Sequence, residues 1–242
     1  MDEAIEIGNY LPRSYKSPKE QEYIGFLWDA FEANYTNGKY QFAFLAYHML
    51  TMSFVYFNIW QIKKTEPEKF AMGLIGFGKD IEKNLLEATS PFVFSTVNER
   101  SILRFLKLIA CDNSKIGTYA KLVDDRNNSA HPNGNIFFST QAALDNKISE
   151  ILRIVDEIQA LSKPIIESAY QKFLVESPDP EEREYIEASD QVREVLIHRN
   201  YMSSRDIQIC VDFDLARLAE HPQIDQIRVL HETLLTEYGA DE

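Results

Sequence analysis

Arg126-Asn127-Asn128-Ser129-Ala130-His131, followed at once by Pro132, sets a fixed cation, an amide and an imidazole side by side in turn-prone sequence. The arginine fork is always charged and matches two phosphate oxygens. A histidine near its ordinary pKa takes or gives a proton at neutral pH. Asparagine can orient that histidine or donate to a non-bridging oxygen. Facing a phosphodiester in RNA, such a set can activate the 2′-OH, stabilise the crowded phosphorus and protonate the leaving 5′ oxygen. That chemistry needs no metal. No spacing of His, Cys, Asp and Glu along the chain suggests a metal or another cofactor.

The bare spacing has little specificity, because Arg193 and His198 repeat it inside an apolar-periodic helical stretch. The asparagine behind Arg126 and the proline behind His131 distinguish the first copy. On a straight helix, residues five apart point about 140° away from each other. Pro132 pushes His131 out of the helical region, and Asn127, Asn128 and Ser129 favour caps and turns. The segment is therefore expected at a helix end, with Arg126, Asn127 and His131 as candidate catalytic residues. Asp125, Asn128 and His48 are the candidate supporting residues. The plain alternative is a helix-terminal Arg126 bonded to Asp124 or Asp125, with His131 packed in a turn.

The surrounding sequence predicts an all-α chain. Ser17-Pro18-Lys19-Glu20 reads as a capping box opening a helix to about Tyr35, with Gly38 as its stop. A helix from about Tyr40 to Lys64 is apolar on most sides and should be central. Its stretch Phe42–Trp60 is long enough to cross a membrane, but His48, Thr51, Ser53 and Asn58 favour a buried bundle helix. His48 reads as a core histidine with a hydrogen-bonding partner. Thr65–Glu68 and Thr96–Glu99 read as two more capping boxes, opening helices to about Thr89 and Cys111, with 90–95 as an extended connector. A helix from Asn113 or Ser114 runs into Arg126. Another is capped by Ser139 or Thr140 and reaches about Val175, with Pro164 as a potential kink.

Ser177-Pro178-Asp179-Pro180 is the best internal boundary, dividing residues 1–176 from 177–242. Beyond it, helices are expected over about 180–200, 204–219 and 222–237. The formal net charge of −13 is uneven. Residues 1–174 hold 19 basic and 21 acidic side chains, and residues 175–242 hold 6 and 17. The body is thus nearly neutral, without the basic stripe of a strong non-specific nucleic-acid binder. The acidic C-terminal region reads as an appendage that packs on the body or binds a partner protein. Cys111 and Cys210 read as reduced core thiols. The acidic N-terminus lacks a signal-peptide pattern, so a cytoplasmic protein that makes no membrane contact is expected.

The run Asp125–Pro132 between two helices of an all-α chain resembles the Arg-x4–6-His motif of the HEPN superfamily. A polar residue, often Asn, commonly follows the arginine in that family, as Asn127 does here. The resemblance covers the motif and, loosely, residues 18–176. It implies a helical bundle, usually a homodimer that joins two motifs in one cleft. It also implies a metal-independent endoribonuclease with RNA as substrate, in a toxin–antitoxin or antiviral-defence setting, with an antitoxin or other protein partner at the acidic region. Members paired with small nucleotidyltransferases carry Tyr two residues after the His. Asn133 stands there, so that pairing is not expected. Other members are inactive, and a non-catalytic module binding nucleotide or protein is the alternative.

Overall fold

The computed structural model describes residues 1–239 and is helical throughout. No strand occurs among them, only an isolated antiparallel bridge between Pro12 and Ser203. A short N-terminal helix, α1 (Asp2–Ile5), and a 3-10 turn precede α2 (Pro18–Thr36). The capping box of α2 forms: the Ser17 hydroxyl accepts from Lys19, and Glu20 accepts from the Ser17 backbone. Gly38, at φ +68°, reverses the chain into α3 (Tyr40–Thr65). That left-handed turn is costly for residues with a Cβ and suits glycine.

α3 is buried on every side from Ala43 through Ile62, apart from Leu45 and Met49. Its apolar window is long enough for a membrane span, but 83% of it is covered by other parts of the chain, as in the core helix of a globular protein. Packed against it are α2, α4 (Pro67–Gly73), α7 (Asn113–Ala130) and α8 (Gln141–Glu176). α8 is capped by Thr140 and runs 36 residues, about 54 Å. Leu144, Ile148, Ile151, Val155 and Ile158 lay one apolar stripe along the body, with Pro164 inside the same helix. From Ile166 onward the stripe belongs to a second apolar cluster. Tyr170, Phe173 and Leu174 pack there with Val192, Leu196, Ile207, Leu230 and Leu234 of the C-terminal helices.

Several expected boundaries move. Thr65 is still the last residue of α3, so it cannot cap the next helix, and α4 starts from Glu66 without a side-chain cap. The expected helix to Thr89 splits into α4 and α5 (Lys79–Glu87), with Gly76 at φ +97° between them. Residues Pro91–Thr96 form a 3-10 turn instead of an extended connector. The Thr96 hydroxyl donates to Val93 O at 2.8 Å, so Asn98 caps α6 (Glu99–Leu103) in its place. A 3-10 segment, Arg104–Ile109, follows and ends at the left-handed Ala110.

In the C-terminal region the expected helix over 180–200 begins only at α9 (Ala188–Asp190) and continues as a π-helix, Gln191–His198. Asp179 caps a turn there, accepting from Glu181 N. α10 (Ser204–Val211) stops before 219 and gives way to a 3-10 turn, Leu215–Leu218. α11 (Ile224–Tyr238) closes the chain.

Buried polar groups join the two clusters. The Asp206 carboxylate accepts from Gln61 Nε2 (2.9 Å), Gln159 Nε2 (2.7 Å) and Ser203 N (2.9 Å). Tyr201, held at φ +52°, donates to the buried Glu20 carboxylate at 2.9 Å, and Ser90 donates to the same group at 2.6 Å. The C-terminal helices are therefore anchored to α2, α3 and α8 through fully specified hydrogen bonds.

Candidate functional site

α7 positions the Arg–Asn…His run. Asp112 caps its start, and Tyr119, Leu122, Val123 and Ser129 form its buried face. The helix continues four residues beyond Arg126 and ends at Ala130. His131 then turns extended at ψ 143°, as Pro132 requires, with its N–H still donating to Asn127 O at 3.0 Å. The run occupies the last turn and a half of a helix and the first residue beyond it.

Arg126 and Asn127 open onto a groove of about 1210 Å³. Its walls are the start of α2, the middle of α3, the 89–97 segment, the start of α6 and the C-terminal half of α7, with Tyr201 at one end. Cations line it (Lys16, Lys19, Arg100, Arg126), as do aromatics (Tyr23, Tyr56, Phe92) and hydroxyls (Ser53, Ser90, Thr96). Burial, together with Lys64 and Arg199, lowers the Lys16 pKa.

Glu99 organises the arginine. Its Oε2 accepts from Arg126 Nη2 at 2.9 Å and lies 3.1 Å from His48 Nε2. Burial by itself would raise the Glu99 pKa. The bonds and charges of His48 and Arg126 outweigh burial and hold the carboxyl below its ordinary value. His48 is buried on α3, and its Nδ1 has no hydrogen-bond partner among the described residues. Arg126 keeps a third of its side-chain surface exposed, and one ion pair leaves other N–H donors facing the groove.

The remaining predicted residues go elsewhere. Asp125 pairs with Lys147 Nζ at 2.9 Å on α8, and Asp124 pairs with Arg100. The alternative pairing of Arg126 with either aspartate therefore does not form. The Asn128 carbonyl accepts from Asn133 Nδ2 at 3.0 Å and closes the turn after the helix. His131 is exposed, and it is not among the residues lining the groove. One chain thus brings Arg126, Asn127 and, through Glu99, His48 together, and leaves His131 at the helix tip.

Glu99 escaped the sequence reading, which placed it in a capping box. The available signal was the buried His48, which needed a polar partner. Gln41 ties the helix tip to α3: its Nε2 donates to Ser129 O at 2.9 Å and its Oε1 accepts from Phe137 N at 2.8 Å. Phe42 and Phe137, next to or at these bonds in the chain, are exposed, as is Ile136. No metal-binding group of His, Cys, Asp and Glu occurs among the described residues.

No protein-family profile matches the sequence, and no curated protein or solved structure matches it either.

Proposed function

We propose that this protein is a metal-independent endoribonuclease of HEPN type, acting in the cytoplasm as a homodimer in a toxin or antiviral-defence setting. The observation that carries this reading is the end of α7. Arg126 and Asn127 open onto a cation- and aromatic-lined groove, and His131 stands at the helix tip, exposed and with no side-chain hydrogen-bond or ion-pair partner among the described residues. His131 takes the proton from a 2′-OH. The freed oxygen forms a bond to phosphorus as the bond to the 5′ oxygen breaks, leaving a 2′,3′-cyclic phosphate. The imidazolium of a second His131 protonates the departing 5′ oxygen. Arg126 and Asn127 donate to the non-bridging oxygens, where negative charge builds up. Glu99 and His48 hold the guanidinium in place.

The homodimer rests on two features. His131 lies outside the groove of its own chain, and the exposed Phe42, Ile136 and Phe137 beside it suit burial against a second copy. The acidic C-terminal region is then free to meet a protein partner such as an antitoxin.

A second reading has its own support. Glu99 neutralises Arg126, and no histidine shares the groove with it, which suits a non-catalytic module binding nucleotide or a partner protein. Incubating RNA with the protein in EDTA separates the two. The nuclease reading expects cleavage to survive EDTA, to leave cyclic phosphate ends, and to fall by about 10²–10⁴ in His131→Ala. Cleavage unchanged in that variant, or no cleavage by a protein shown to be dimeric, overturns it.

A further inference from the structure

A second groove, of about 660 Å³, lies on another part of the body, between the 73–77 turn, the 3-10 segment 104–109 and the first half of α7. Phe77, Phe105, Leu108 and Ile116 form its apolar floor, and Arg100, Arg104 and Lys107 give it positive charge. Arg104 and Lys107 are exposed and have no ion-pair partner among the described residues. Ile75, at 81% exposure, stands at its lip. A basic groove with an apolar floor fits an acidic segment that carries apolar side chains.

The same chain supplies such a segment. Residues 181–187 read Glu-Glu-Arg-Glu-Tyr-Ile-Glu and are exposed throughout, with Ile186 at 84%. Glu181, Glu182 and Glu187 have no side-chain partner among the described residues, and Arg183 is the single base of the segment. Two contacts tie the segment to the C-terminal helices. Glu184 is bound by both terminal nitrogens of Arg199, and the Ile186 carbonyl accepts from Gln191 Nε2. Tyr185 and Ile186 are both exposed beside these contacts. In the folded chain, neither unpaired cation of the groove meets an acid of its own segment.

We propose that the basic groove receives the 181–187 segment of a second copy of this chain, in a head-to-tail contact. Ile186 enters the apolar floor, and Glu181, Glu182 and Glu187 face Arg104 and Lys107. Each copy retains one unused groove and one unused segment. The contact therefore builds rings if its rotation closes and open chains if it does not. It is independent of the Arg–Asn…His run and of the nuclease reading. A short segment of this kind makes a small, charge-dependent interface, so association weakens steeply as salt rises.

The test uses the full chain, the groove variant Arg104→Glu/Lys107→Glu and the segment variant Glu181→Lys/Glu182→Lys. All four positions are exposed, and circular dichroism checks that each variant folds. Fluorescently labelled protein is titrated with unlabelled protein at low salt. Each variant against itself should bind at least about tenfold more weakly than wild type against wild type. Mixing the two variants makes both contacts complementary again and should restore wild-type strength. Equal binding in every titration, failure of the mixture to recover, or no self-association of the wild type overturns the proposal. So does a groove variant whose self-association is unchanged but whose binding to single-stranded RNA is lost, because the groove would then be a nucleic-acid contact.

Discussion

At the scale of residues, Glu99 decides what Arg126 can do. It lies between two cationic or potentially cationic groups, and its carboxyl is held below its ordinary value despite burial. The pH dependence follows from that direction. A carboxyl with a depressed folded pKa stabilises the fold fully above its unfolded value of about 4.3, and loses the contribution as pH falls through the folded value. Urea unfolding should therefore show a constant gap between wild type and Glu99→Gln from about pH 7 to pH 5, shrinking as the pH falls below about 4.3. A gap that persists undiminished at the lowest pH at which both proteins fold would argue against the pairing. Glu99→Ala leaves Arg126 and the buried His48 without their acceptor and should cost about 2 kcal/mol at neutral pH. The candidate residues on α7 were legible as a chemical set. Their partner was not, because positions 48, 99 and 126 meet only when α3, α6 and α7 pack together.

At the scale of elements, caps form where the following helix is free to start there. Ser17/Glu20 and Ser203/Asp206 both close as capping boxes. Thr65 and Thr96 do not cap, since one is still inside α3 and the other has its hydroxyl committed to Val93. The two residues of the α10 box also differ in what depends on them. Ser203→Ala removes one helix cap and should cost about 1 kcal/mol. Asp206→Ala strands the Gln159 amide and the Ser203 N–H in a buried place, and leaves Gln61 Nε2 only its long 3.4 Å contacts to the Asn200 and Tyr201 carbonyls. It should cost about 3 kcal/mol, read as a lower urea midpoint at unchanged slope. If Asp206→Ala costs no more than Ser203→Ala, the junction network contributes nothing beyond the cap. The C-terminal helices were harder to place from sequence than α3 or α8. Their apolar repeats are short, and 3-10 and π segments interrupt them.

At the scale of the whole molecule, charge and packing divide the chain differently. The composition changes near residue 175, whereas the second apolar cluster begins at Ile166, inside α8. A chain ending at Glu176 would expose Ile166, Tyr170, Phe173 and Leu174 and lose the bonds of Tyr201 and Asp206 to the body. It should bind a hydrophobic dye and self-associate through that surface. A monodisperse fragment that unfolds cooperatively would show that the C-terminal helices are dispensable to the body. Both cysteines lie inside the clusters, and burial pushes each thiol pKa up, most strongly at Cys210. They are packing residues in the folded chain.

The sequence by itself determined the all-helical class, the central position of α3 and the exclusion of His131, ahead of Pro132, from the helix. Each follows from local rules: apolar periodicity, glycine at a left-handed turn, and proline excluding the residue before it from the helix. Only the tertiary structure decided that Arg126 faces a groove and pairs with Glu99 and His48, that His131 stays outside that groove, and that α8 serves two apolar clusters. Those outcomes depend on which faces meet across long sequence separations, and burial of complementary surfaces sets that choice over and above the propensity of any one segment.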